Sequence, residues 1–252
     1  MTRPCLVVLA ALLAAPAAHA RPPAETYDDL TALLKRHVDE RGRVDYRTFK
    51  VQDEAALRAV VRRLGGVDPA RLADAPRELK AYWINVYNAV TLQAVLEFFP
   101  LGSLREKAEE PGYNVWDDFL FEAGGRTWSL NQIEHEVLRP LGDPRIHAAL
   151  NCASVSCPLL LREAYVPARL EEQLDEQTRL WLNDPARGVR VGDGVVALSM
   201  LFTWFGDDFG PDLPARLRWI SKFLRDPAMR EVVTRRGARV EALPWDWRLN
   251  GR

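Results

Sequence analysis

The sequence is short of the features that announce most activities. No Gly-rich phosphate loop, His-Glu-x-x-His pair or Gly-x-Ser-x-Gly turn occurs in its 252 residues. That removes the sequence grounds for nucleotide, zinc-protease and serine-hydrolase chemistry. Neither sign of charge is in excess: the formal net charge is −1, so nothing electrostatic invites nucleic acid or an anionic lipid surface. After residue 20 no apolar run approaches the ~20 residues of a bilayer span, so no integral membrane anchor is expected. Internal repeats and low-complexity blocks are missing too. Cysteine is limited to three residues and histidine to four, so thiol and imidazole chemistry has few places to sit.

What is present begins at the N-terminus. Met1-Thr2-Arg3 is a short positive start, Leu6 to Ala15 is apolar, and Ala18-His19-Ala20 fits the small-x-small rule for cleavage. We expect a signal segment over 1–20, cleavage near Ala20, and export to a periplasm or to the outside. Cys5 lies too early for lipid attachment and would leave with the leader. A linker over 21–27 and one domain over 28–250 are expected, and about 230 residues suffice for a single core.

Helical periodicity marks Leu30 to Val38, ended by Gly42, and Leu57 to Leu64, ended by Gly65-Gly66. The strongest helix runs from Pro76, with Asp74 as its cap, to Phe99-Pro100. It is apolar nearly all round and should be buried. Gly124-Gly125 and Gly192-Asp193-Gly194 each join two short β-type runs into a hairpin. Ser129 and Gln132 form a capping box for a helix through Leu138. Arg145 to Leu150 reads as an internal strand. Pro167 opens a helix carrying Leu170, Leu174 and Trp181, and two more helices follow between Leu213 and Arg235. Helices come first and hairpins mix with helices later. This order predicts a helix-rich α+β single domain with a small antiparallel or mixed sheet.

Chemistry-bearing residues gather in three stretches. In the buried helix Asn85 and Asn88 lie three apart, on one face with Tyr87 between them in sequence. A buried amide must be hydrogen-bonded, so tying down loop backbone is their plainer role and ligand contact the sharper one. Glu134 and His135 lie on the helix after the capping box. Arg145, His147, Asn151, Cys152, Ser154 and Cys157 crowd into fourteen residues with Pro158. Asp207-Asp208 is read as a turn cap behind an aromatic cluster, and Trp245 and Trp247 as anchors of the C-terminus.

These motifs carry a resemblance. Tyr82-Trp-Ile-Asn85-Val-Tyr87-Asn88, Ile133-Glu134-His135, Asp143-Pro-Arg145-Ile-His147, Asn151-Cys152-Ala-Ser154 and Ser156-Cys157-Pro158 resemble the DUF547 family, a domain of unknown function. So do Phe202-Thr-Trp204-Phe205, Asp208-Phe209 and the closing Asp246-Trp247-Arg-Leu-Asn250. The resemblance spans about 28–250. It implies an exported bacterial member and marks the residues to inspect; it names no activity.

Two readings of the chemistry stay open. In a Cys/His hydrolase or acyl-transfer site, akin to papain or transglutaminase, Cys152 is the nucleophile. His147 or His135 is then the base, with Asn151 or Glu134 orienting it. Asn85, Asn88, Tyr87, Arg145, Ser154 and Cys157 would line the binding face. On a continuous strand His147 and Cys152 would point to opposite faces, so a bend at Asn151 is required. In the other reading Cys152 and Cys157 form a structural disulfide, and the domain is a non-catalytic module binding a small molecule, a peptide or a protein. A four-ligand zinc site from these cysteines and histidines has the ligand count but not the spacing. No metal or other cofactor is therefore expected.

Overall fold

The computed structural model describes residues 21–251. The expected signal segment, 1–20, lies outside the described residues. Three long helices open the chain: α1 (Ala24–His37), α2 (Tyr46–Gly65) and α3 (Pro76–Phe98). α1 starts inside the stretch read as a linker. The Asp45 side chain caps α2 by accepting from Thr48 N–H. Asp74, expected to cap α3, does not: Ala75 holds that position without a side-chain bond, and Pro76 alone preorganises the first turn. α3 is the central rod, buried from Ala81 to Leu92, which is why its sequence shows no polar face.

Short elements follow: α4 (Val115–Asp118), the hairpin β1 (Phe121–Ala123) with β2 (Arg126–Trp128), and α5 (Leu130–Gln132). Gly124 and Gly125 both have positive φ, as a two-residue hairpin turn demands. The Ser129/Gln132 capping box forms. A π-helical turn, Ile133–Leu138, continues α5. Then come α6 (Ile146–Ala149) and α7 (Leu170–Leu182). The rest comprises β3 (Val189–Gly192), β4 (Val195–Leu198), α8 (Leu201–Trp204), α9 (Gly206–Phe209), α10 (Leu213–Ser221), α11 (Pro227–Thr234) and β5 (Arg239–Ala242). β4 pairs antiparallel with β3 and parallel with β5. The expected helix-rich α+β domain with a mixed sheet is what folds. Among the described residues no helix is long and apolar enough to cross a membrane.

The strand expected over 145–150 is instead the helical turn α6. Asp143 Oδ1 accepts from Arg145 N–H at 3.1 Å, and Ile146 N–H bonds to Asp143 O. Asp followed by Pro is a helix-start pair, and it prevails over an apolar run too short to show a period.

Two apolar clusters meet at α6. α1 to α3 and the segments around them form the larger, which includes Ala149. The sheet with α8 to α11 forms the smaller, which includes Ala148. The last residues strap the two together. Leu243 N–H reaches Leu198 O, Ser156 N–H reaches Asp246 O, Leu249 N–H reaches Gly102 O, and Asn250 N–H reaches Ala153 O.

An ion network buttresses α6. Asp143 lies 2.6 Å from Lys80 of α3 and 2.9 Å from Arg145, which also reaches Glu171 and Asp175 of α7. Burial pushes the Asp143 carboxyl up, but the bonds from Arg145 and Lys80 outweigh it and bring it down to about 2. A depressed carboxylate stabilises the fold above its unfolded pKa and loses that contribution as pH falls through the folded one. About 2 kcal/mol should therefore disappear between pH 4 and 2. Urea unfolding of Asp143→Asn should lack that part of the acid dependence; a slope matching the parent's would remove the network from the account.

A tryptophan-walled cleft over the cysteine pair

α3 supplies Tyr87 and uses its two amides as anchors. Asn85 donates to Tyr165 O at 2.7 Å and accepts from Tyr165 N–H at 2.8 Å. Asn88 donates to Ala149 O and accepts from Asn151 N–H, each at 2.9 Å. Both therefore hold loop backbone. Tyr87 donates to Glu134 Oε2 at 3.2 Å, and burial, then the charge of Glu134, pushes its phenol well above the usual value, so it remains a donor.

Glu134 and His135 sit on the π-helical turn, whose i→i+5 bonding widens the backbone and redirects side chains. His135 Nδ1 lies 2.9 Å from an Arg139 nitrogen. Arg139 forks onto Asp208 at 2.7 and 2.9 Å.

His147 on α6 is tightly constrained. Its ring is buried, stacked on Phe205 at 4.5 Å between centroids. Nε2 lies 2.7 Å from Asp208 Oδ2. The His147 bond, followed by that from Arg139, holds the Asp208 carboxyl well below the ordinary carboxylate range against the opposing effect of burial. Asp208 is thus ionised and can only accept, so Nε2 carries the proton. Nδ1 then faces Glu134 Oε1 across 3.9 Å, which is the arrangement of an imidazole oriented by one carboxylate with its other nitrogen free. The opposite-face argument for His147 and Cys152 falls with the strand that it assumed.

Cys152 and Cys157 are disulfide-bonded, with their Cα atoms 6.4 Å apart. Asn151 positions the turn, donating to Pro158 O at 2.8 Å and accepting from Ala153 N–H at 2.9 Å. Ala153 takes a left-handed φ of 61°, rare for a residue with a Cβ and sustained by these bonds.

These groups border one cleft of about 150 Å³. Of the candidate residues, Tyr87, Glu134, His135, His147, Cys152 and Cys157 line it. Asn85, Asn88, Arg145, Asn151 and Ser154 do not; they stand behind it as supports. Its walls are Trp116, Trp204, Phe205, Trp245 and Trp247. Trp204 is 42% exposed and packs 4.8 Å from Trp245 and 5.7 Å from Trp247, so three indoles form one rim. Residue-level reading missed Asp208 as partner of His147 and the tryptophans as cleft walls; the resemblance marked Trp204, Asp208 and Trp247, and nothing marked Trp116 or Trp245 as wall residues. Among the described residues no three His, Cys, Asp or Glu side chains stand where they could share a metal ion.

Fold and site together define a helix-rich α+β domain with an aromatic cleft over a cysteine pair. The model of the DUF547 family, described as a protein of unknown function, matches residues 73–182. The match contains Tyr87, Glu134, His135, His147 and both cysteines, and ends before Trp204, Asp208, Trp245 and Trp247. Comparison with curated proteins and with solved structures found no match.

Proposed function

We propose that the cleft binds a small molecule or peptide end that offers a flat apolar face and a hydrogen-bond donor. The observation that carries this reading is the rim of three indoles that shares one opening with Glu134. Indole faces stack with apolar or cationic surfaces. Glu134 receives one hydrogen bond, from Tyr87, and its Oε1, 3.9 Å from His147 Nδ1, can accept another from a ligand N–H or O–H. The disulfide favours binding over nucleophilic catalysis, because a sulfur bonded to sulfur has no thiolate. Action outside the cytoplasm, on the pattern of residues 1–20 and the oxidised cysteine pair, is part of this proposal.

A panel of disaccharides and of short peptides with free amino termini, followed by tryptophan fluorescence and thermal shift, tests it. A true ligand at a hundredfold excess over Kd should add about 2.7 kcal/mol of stability. Trp204→Ala and Glu134→Gln should each weaken binding at least tenfold. Ligands that bind both variants as well as the parent would place binding elsewhere and refute the reading.

One observation supports a second reading. His147, clamped by Asp208 at Nε2 and open at Nδ1, shares the cleft with Cys152. Were the disulfide reduced, Cys152, His147 and Asp208 would supply nucleophile, base and orienting carboxylate for hydrolysis or acyl transfer. Ester hydrolysis by the reduced chain that vanishes in His147→Gln would establish this; none in the reduced parent would end it.

A further inference from the structure

The geometry points to the Cys152–Cys157 disulfide as a thiol–disulfide exchange site, with a low-molecular-weight or protein thiol as co-reactant. Three observations carry it. Both cysteines line the open cleft, and Cys152 is the more accessible residue, Cys157 being only 4% exposed. An incoming thiolate therefore meets the Cys152 sulfur first.

The second concerns the leaving group. Cys157 Sγ accepts from Cys152 N–H at 3.1 Å, and the Ser154 hydroxyl lies between the two sulfurs, 3.3 Å from Cys152 Sγ and 3.4 Å from Cys157 Sγ. Attack on Cys152 Sγ forms a new S–S bond to the co-reactant and breaks the Cys152–Cys157 bond, and the electron pair leaves on Cys157 Sγ. One backbone N–H is already aimed at the atom where that charge appears, and the shared Ser154 hydroxyl turns to it as the charge develops. A second thiolate then attacks the co-reactant's sulfur in the mixed disulfide and releases Cys152. In sum two thiols are oxidised to one disulfide, while the protein disulfide is reduced to two thiols.

The third is that the turn does not need the bond to keep its shape. Asn151 N–H is held by Asn88, Ala153 N–H by Asn151 and Val155 N–H by Arg248 O. Val155 O accepts from Arg187, and Ser156 and Asp246 exchange two bonds. A cross-link over so short a loop also removes little entropy from the unfolded chain. A disulfide that adds little to the fold, opens on a cleft and has a prepared leaving group is built for reaction.

Exchange needs no ligand against the tryptophans, so it can succeed or fail apart from the binding reading. The test uses the full chain, folded and unreduced, with glutathione as the thiol. The expected result is complete reduction without denaturant and a melting temperature within a few degrees of the oxidised form. In Cys157→Ser, glutathione disulfide should leave a glutathionyl group on Cys152, told apart from any on Cys5 by peptide mass mapping. Ser154→Ala should slow reduction of the parent disulfide about three- to tenfold with little change in melting temperature. Reduction only on unfolding, or the same rate in Ser154→Ala, would overturn the proposal. So would an adduct on Cys157 in Cys152→Ser that forms as fast as the one on Cys152.

Discussion

Asn151→Ala should lose about 3–5 kcal/mol of folding free energy, because two buried backbone groups are left without partners at ~1–3 kcal/mol each. The groups are Ala153 N–H, now 2.9 Å from Asn151 Oδ1, and Pro158 O, now 2.8 Å from its Nδ2. Both lie in a turn sealed by the C-terminal strap, where Asn250 Nδ2 reaches the same oxygen at 3.2 Å. Water cannot replace the lost amide without opening that strap. Against a total stability of 5–15 kcal/mol typical of native proteins, the variant would stand at the edge of folding. Asn151→Asp keeps the acceptor and loses the donor, so it should lie between parent and alanine. Denaturant titration reads all three, and an alanine variant within about 1 kcal/mol of the parent would mean the turn is held by something else.

The second large effect falls on Asp208. Its replacement by alanine strips the buried His147 of its only bond under 3 Å and frees Arg139 from a two-pronged grip. Removing one partner of such a cluster leaves a buried donor unpaired, at a cost of about 3 kcal/mol. For a chain of this size that is roughly a 6–12 °C fall in melting temperature at neutral pH. The sign of the pH effect follows from the depressed carboxyl. The contribution is present above the ordinary carboxylate pKa and fades as pH falls through the lowered one. Parent and variant should therefore converge toward strongly acid pH. A gap that stayed constant with pH would deny Asp208 its charged role, and no gap at all would deny the contact.

Much of this architecture was legible beforehand, where local chemistry is strong. The unbroken apolarity of α3, the paired glycines of the first hairpin and the Ser129/Gln132 box each name an element without help from the rest of the chain. The failures have physical reasons. Residues 145–150 offer too few side chains for a period, and the turn was decided by Asp143 and Pro144 at its start. A π-helical turn has no propensity signature, because i→i+5 bonding is selected by what the widened turn packs against. The amides of Asn85 and Asn88 were visible as buried polar groups, and their backbone partners match the plainer of their two readings; Asn151, read as orienting the base, holds the turn backbone instead.

The sequence by itself determined most of the elements, the match of residues 73–182 to the DUF547 model and the three stretches where reactive side chains would gather, since capping, periodicity and motif are properties of neighbours along the chain. Only the tertiary structure decided which of those side chains meet. Asp208 lies 61 residues from His147 in the chain and 2.7 Å from it in space, and the tryptophan rim arrives from α8 and the closing strap. Hydrogen bonds and ring contacts act over a few ångströms, so the site follows from how the two cores are strapped together and not from the order of its residues.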